Sequence, residues 1–184
     1  FKGDALILQA EALIELARYD EAALVLDRAM ALALPPSSQR RIALLKADAL
    51  FAMGADDSMR WQAALDAYRS ALEIGSPGEA VRLETSFKIA RTLEKLRRNE
   101  EAAKEYYLNV VLAYLDARER GVWFGREAQG VFVRSAFRLA DLYESRGEDM
   151  QAAQMLRLVI KNSGGRAQEA RRRLDNIKKK GRIL

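Results

Sequence analysis

Apolar residues along most of the chain recur three or four positions apart, and the clearest run lies between Ser135 and Ile160. Ala136, Leu139, Ala140 and Tyr143 fall on one face of a helix. Gly147 ends that helix, because the left-handed residue after a last turn suits glycine best. A second helix follows at once, with Ala152, Leu156, Val159 and Ile160 on its inner side. Two helices joined by so few residues run antiparallel, and the alanines at Ala140 and Ala152 let their backbones approach. Such a pair leaves a broad apolar face uncovered and calls for neighbours of its own kind.

The rest of the chain supplies them. A first pair spans Asp4 to about Arg18 and Glu21 to about Leu34. Its inner residues are Ala10, Leu13 and Ala17, then Ala22, Leu26, Ala29 and Met30, with Asp20 as an N-cap. Pro35-Pro36 closes it, and Ser37 or Ser38 caps the next helix, which carries Ala43, Ala47, Leu50 and Phe51 as far as Gly54. The partner helix bears Trp61, Ala64, Leu65, Tyr68, Ala71 and Leu72, is extended backwards through the preceding insertion, and has Ser58 or Asp57 as cap. Ser76-Pro77-Gly78-Glu79 is a helix-start signal. Leu83, Phe87, Ala90 and Leu93 follow it, and Asn99 caps a long partner with Ala102, Tyr106, Val110, Ala113 and Tyr114 inward. That partner runs to Arg120. Beyond the aromatic stretch Gly121–Gly125, a helix starts near Arg126, passes Gly130 and reaches Ser145. A last helix has the stripe Ala167, Ala170, Leu174 and Ile177.

The pattern Ala136-x2-Leu139-Ala140-x2-Tyr143-x3-Gly147, followed by Ala152, Leu156 and Val159, resembles the tetratricopeptide repeat family. It lacks the usual aromatic at the start and the proline at the end. The resemblance covers nearly the whole chain and implies an all-α fold, a right-handed α–α superhelix of four antiparallel helix pairs plus a C-terminal capping helix. The expected repeats are about 4–36, 37–75, 76–121 and 125–163, with the capping helix at about 165–180, in one solenoid over 1–184. Second-helix alanines at 22, 64, 102 and 152 stand 42, 38 and 50 residues apart. The family period is about 34, so the repeats are long and irregular.

Composition narrows the chemistry. The 184 residues contain no Cys and no His, which excludes disulfides, thiolate or imidazole metal sites and Ser-His or Cys-His catalysis. No Gly-rich phosphate loop or nucleophile elbow is present. Asp56 and Asp57 lack further ligands and read as turn and cap residues. The expectation is therefore a non-enzyme with no cofactor and no metal. No run reaches the roughly 20 apolar residues of a membrane span. The chain starts at Phe1, not Met, and is expected to be a fragment of a longer protein.

Net charge is +5, but residues 157–184 hold ten basic and two acidic side chains, so that stretch carries +8 and the remainder −3. Nucleic acid or another acidic surface is the alternative partner through this tail. Against it, Arg171, Arg172 and Arg173 flank the apolar stripe and are expected to face water. Lys178, Lys179 and Lys180 complement a helix C-terminus, and no aromatic interleaves with them.

The family's inner wall is built from the first helix of each pair. The resemblance places its outward-facing residues at Ile7, Leu44, Phe87 and Phe137, with Glu11, Asp48, Arg91 and Asp141 one turn on. An apolar strip flanked by charges suits an extended peptide or an amphipathic helix from another protein. The competing reading is that these side chains pack between neighbouring repeats. One subtype of the family holds a C-terminal carboxylate with Lys and Asn at matching places; Ile7 with Glu11 and Leu44 with Asp48 cannot hold an anion. Trp123 and Phe124 read either as a second contact point, for a partner or for another copy, or as a loop folded over its own helices. The function implied is a protein-interaction scaffold. Resemblance to bacterial members with long, irregular repeats implies assembly at the cell envelope or periplasm. A regulatory or anchoring segment of a larger enzyme is the third class.

Overall fold

A computed structural model describes residues 2–55, 57–162 and 165–179, and among these every regular element is helical. In chain order they are α1 (Lys2–Glu15), α2 (Tyr19–Met30), α3 (Pro36–Met53), α4 (Ser58–Glu73) and α5 (Glu79–Lys95). Then come α6 (Asn99–Lys104), a π-helical stretch (Glu105–Leu112), α7 (Ala113–Glu119), α8 (Arg126–Ser145), α9 (Asp149–Asn162) and α10 (Ala167–Lys179). Lys104 and Leu112 keep right-handed helical dihedrals, so α6, the π stretch and α7 form one rod. Helices pack in adjacent pairs, as the sequence predicts.

The chain divides after Arg98 into two compact units. In the first, α1 packs on α2, α2 on α3, α3 on α4 and α4 on α5. Leu6, Ile7, Ala10, Val25, Leu26 and Ala29 of the first pair share a buried cluster with Ile42 of α3. In the second unit, α8 packs on the π-containing rod and on α9, and α9 packs on α10. Small residues sit wherever rods touch: Ala22, Ala64, Ala102, Ala140 and Ala152 are all fully buried.

Four turns close in the same way, one of them after α7, where Gly121 has φ 85° and the Gly121 and Val122 N–H groups reach the Arg118 and Ala117 carbonyls at 3.0 and 2.9 Å. After α8, Gly147 has φ 74°, its N–H reaches the Glu144 carbonyl at 3.1 Å, and Glu148 N–H reaches the Tyr143 carbonyl at 2.9 Å. That is the 6→1 and 5→2 bond pair of a Schellman turn. After α1 the left-handed residue is Ala17 (φ 56°), with Ala17 N–H on Ile14 at 2.9 Å and Arg18 N–H on Leu13 at 2.8 Å. After α5 it is Arg97 (φ 59°), with Arg97 and Arg98 bonded to Glu94 and Leu93, each at 2.9 Å. Ala17 is therefore an exposed turn residue and not part of the inner stripe.

Other local expectations shift for identifiable reasons. The Ala17 turn hands the cap position of α2 to Arg18 and moves Asp20 into the first turn; α2 ends at Met30, which is exposed rather than inward. Pro36 itself opens α3, because a proline at the first helical position gives up no hydrogen bond, so neither Ser37 nor Ser38 is the cap. Gly78 caps α5 instead of Ser76, and Pro77, with its carbonyl bonded by Arg82 Nε at 3.0 Å, stays in the loop. Asn99 is the first residue of α6. Asp57 does cap α4, accepting from Met59 N–H at 3.0 Å; Asp56 lies outside the described residues, as do Lys180 and residues 181–184. Gly54 ends α3 in right-handed conformation; its requirement is space, since an added Cβ would lie 2.0 Å from the Trp61 indole.

Within the long rod the π stretch moves the apolar stripe along. Tyr106, Val110, Val111, Tyr114 and Ala117 are fully buried, while Ala113 is only half-buried. A π turn takes up an extra residue and rotates the remainder of the rod about its axis, so Tyr114 is buried as expected while Ala113 is turned partly outward.

Candidate functional site

The residues proposed for the inner wall lie on α1, α3, α5 and α8, but their apolar members are less open than a binding strip requires. Ile7 belongs to the core cluster of the first pair. Leu44 is half-buried, while Phe87 and Phe137 are only 9% and 5% exposed.

Three of the four charges one turn on are tied to the first helix of the following pair. Glu11 of α1 accepts from the Arg41 guanidinium of α3 at 2.6 Å. Asp48 of α3 accepts from Lys88 Nζ of α5 at 2.9 Å. Asp141 of α8 meets Arg173 of α10 at 2.7 Å, and Glu144 meets the same guanidinium at 2.5 Å. These carboxylates form a recurring cross-helix staple. Exposed pairs of this kind contribute up to about 1 kcal/mol, and they fix the register of neighbouring first helices.

In the second unit α10 covers the predicted site residues. Arg166 lies 4.3 Å and Arg173 5.6 Å from the Phe137 ring centroid, within cation–π range. Arg173 is thus half-buried and paired, which corrects its assignment as a solvated residue; Arg171 and Arg172 are exposed as expected. Burial opposes the Arg173 charge, yet hydrogen bonding and the Asp141 and Glu144 carboxylates outweigh it and raise its pKa.

In the first unit the same positions frame an opening. Asp48, Phe51, Tyr68, Lys88 and Arg91 line a recess of about 90 Å³. The buried Tyr68 hydroxyl donates to Asp48 Oδ1 at 2.6 Å, and Lys88 Nζ holds Oδ2. Burial, and then the Asp48 carboxylate, push the Tyr68 pKa well above its ordinary value. Arg91 is the exception among the four charges. Its guanidinium is exposed, lies 5.4 Å from the Phe51 ring and 5.9 Å from the Phe87 ring, and makes no ion pair with the described residues. Both rings lie within cation–π range of that guanidinium.

Predicted residues Asp48, Phe87 and Arg91 therefore come together. Glu11 is paired on α1 and Asp141 in the second unit. Sequence reasoning missed Phe51, Tyr68 and Lys88 as members of the site. Phe51 was detectable there: it lies seven residues after Leu44, on the same face of α3 two turns later.

The aromatic stretch splits between its two readings. Phe124 is buried and stacks on Tyr114 with centroids 4.9 Å apart, and Tyr114 stacks in turn on Phe132 at 4.5 Å. Trp123, its neighbour, is 84% exposed.

No group of three or more Asp or Glu residues suited to a metal ion occurs among the described residues. No helix among them is long and apolar enough to cross a membrane. No curated protein matches the chain in sequence. Residues 5–40, which take in α1, α2 and the start of α3, match the family model described as Tetratricopeptide repeat. Repeats of this kind generally mediate protein–protein interaction and are typically non-catalytic. That match supports a tetratricopeptide repeat over residues 5–40, and the helices packed in adjacent pairs are consistent with a helical solenoid of that type.

Proposed function

We propose that this chain is a non-catalytic scaffold that binds another polypeptide on its first-helix face, with the α3–α5 recess as the principal contact. The observation that carries this is Arg91: an exposed guanidinium held over two phenylalanine rings beside a small recess, with no carboxylate of its own. A carboxylate on an incoming segment accepts two parallel N–H bonds from such a fork. A neighbouring apolar side chain on that segment rests on Phe51. The favoured partner is thus an extended or helical segment bearing an acidic residue beside an apolar one. Asp48 and Lys88 neutralise each other below it and set its floor. On the resemblance to bacterial members with long, irregular repeats, the expected setting is assembly of an envelope complex.

Phe87 and Phe137 are too buried to serve as surface probes, since a charge placed there would disturb packing. Arg91→Glu changes only an exposed side chain. Displaying a random peptide library to the purified chain is expected to enrich acidic-apolar peptides, and Arg91→Glu to weaken their binding at least about tenfold, the loss of one charge-assisted pair. Enriched peptides that bind the variant as tightly as the parent would place the contact elsewhere.

A further inference from the structure

On the second unit, the start of the long rod and the end of α8 enclose a groove of about 330 Å³, more than three times the α3–α5 recess. Lys104, Tyr107 and Leu108 line it from the rod at i, i+3 and i+4, with Glu100 one turn earlier. Tyr143 and Arg146 line it from α8, also three residues apart. The buried Ala103 and the half-buried tyrosines give it apolar walls, and Leu108 adds a side chain that is 54% exposed. Burial, and then Tyr107 and Glu148, raise the Tyr143 pKa, so its hydroxyl stays a neutral donor. A volume of this order reaches the lower end of the range of ligand pockets. It admits an aromatic ring, which packs well against tyrosine faces.

The first unit shows what closes the matching place. Aligning the buried alanines Ala22 with Ala102, Ala47 with Ala140 and Ala64 with Ala152 sets Asp20 against Glu100 and Leu24 against Lys104. The same register sets Met53 against Arg146 and Arg60 against Glu148. In the first unit Arg60 reaches from α4 past the Met53 sulfur, at 2.7 Å, to Asp20 at 2.9 Å, so one of the chain's own cations bridges α4 to α2. In the second unit the counterpart of Arg60 is an acid, which Glu100 repels, and the cations stand on the groove walls instead. Lys104 and Arg146 are exposed and make no ion pair with the described residues. The charge demanded of a bridging group is thereby reversed: two cations against the single carboxylate of Glu100 call for an anion. We propose that the groove is a second docking site, independent of Arg91, for a partner polypeptide that lays an aromatic side chain against Tyr107 and Tyr143 and sets flanking carboxylates on Lys104 and Arg146.

The test uses the Arg91→Glu chain, so that the α3–α5 recess and this groove fail separately. An acetylated, amidated peptide with the core Asp-Phe-Asp is titrated into the nitrogen-15-labelled protein. Saturable amide shifts are expected at residues 100–108 and 143–148. Adding Lys104→Glu and Arg146→Glu, both at exposed positions, is expected to weaken binding at least about tenfold, the loss of one charge-assisted pair, with unchanged circular dichroism. Peptides with Asn-Phe-Asn or Asp-Ala-Asp cores are expected to bind more weakly by a similar factor. Three results would each overturn the proposal: no saturable shifts at those residues, tighter binding of a Lys-Phe-Lys peptide, or equal binding by the chain carrying Lys104→Glu and Arg146→Glu.

Discussion

Ala17 and Arg97 stand in for glycine at two of the four matching turns, and replacing them tests the left-handed conformation of those turns. Both residues hold left-handed backbone, at φ 56° and 59° respectively, while Gly121 and Gly147 serve the other two turns at 85° and 74°. A side chain in that region crowds the following carbonyl and costs about 1–2 kcal/mol. Glycine removes the crowding but gives the unfolded chain more freedom, which offsets about 0.4–1 kcal/mol. Ala17→Gly and Arg97→Gly should therefore each stabilise the protein by about 0.5–1 kcal/mol. Neither change sacrifices packing, since both side chains are exposed. Both residues belong to the first unit and are far apart in sequence, so their effects should add. The double variant is expected to melt about 2–8 °C higher. Urea titration monitored by far-UV circular dichroism measures the change, with an unaltered slope showing that the folded state is the same. Gly147→Ala is the reciprocal control and should lose about 1 kcal/mol. A midpoint for Ala17→Gly at or below the parent's would mean that its turn does not hold the conformation described.

The Gly121–Gly125 stretch makes an opposed pair of predictions. Phe124→Ala removes a buried ring stacked on Tyr114 and should cost about 3–5 kcal/mol, whereas Trp123→Ala should change stability by no more than about 0.5 kcal/mol; equal effects in the same titration would contradict the split. Tyr68 predicts a pH effect of definite sign. Its folded pKa is raised, so folding favours the neutral phenol, and the associated stability is complete below the ordinary tyrosine value of about 10 and falls as pH climbs above it. Thermal melts of Tyr68→Phe should show a shallower alkaline loss than the parent, and parallel curves would remove Tyr68 as a cause.

What the sequence revealed and what it hid divide along physical lines. Periodicity alone located every rod, because burial of Leu, Ala and aromatic residues at helical spacing is a local record of a tertiary fact. It located α8 to the residue, at Arg126 and Ser145. Turn chemistry was harder: Gly147 announced its own left-handed conformation, but Ala17 carries no such mark and reads as one more member of the stripe. Caps failed where a competing residue stood one or two places away, as Pro36 did beside Ser37 and Gly78 beside Ser76. The geometry of the candidate recess was half legible. The repeat register found Asp48, Phe87 and Arg91, yet nothing local could tell that Glu11 and Asp141 were already engaged by Arg41 and Arg173, 30 and 32 positions away in sequence. Pairing across helices is written in three dimensions only.

The widened turns between Glu105 and Leu112 alter how length can change in this chain. Insertions usually accumulate in loops, where they leave the rods untouched. Here an additional residue is absorbed inside a rod, and its effect is a change of phase: everything from Ala113 onward is turned about the axis relative to the residues before Glu105. That rotation aims Tyr114 at Phe124 and Phe132 and lets the aromatic column form. Excising a single residue from the stretch would restore ordinary winding and swing Tyr114 off that column, so the azimuth of one half-rod, and with it the seating of the Phe124 loop, hangs on one residue of chain.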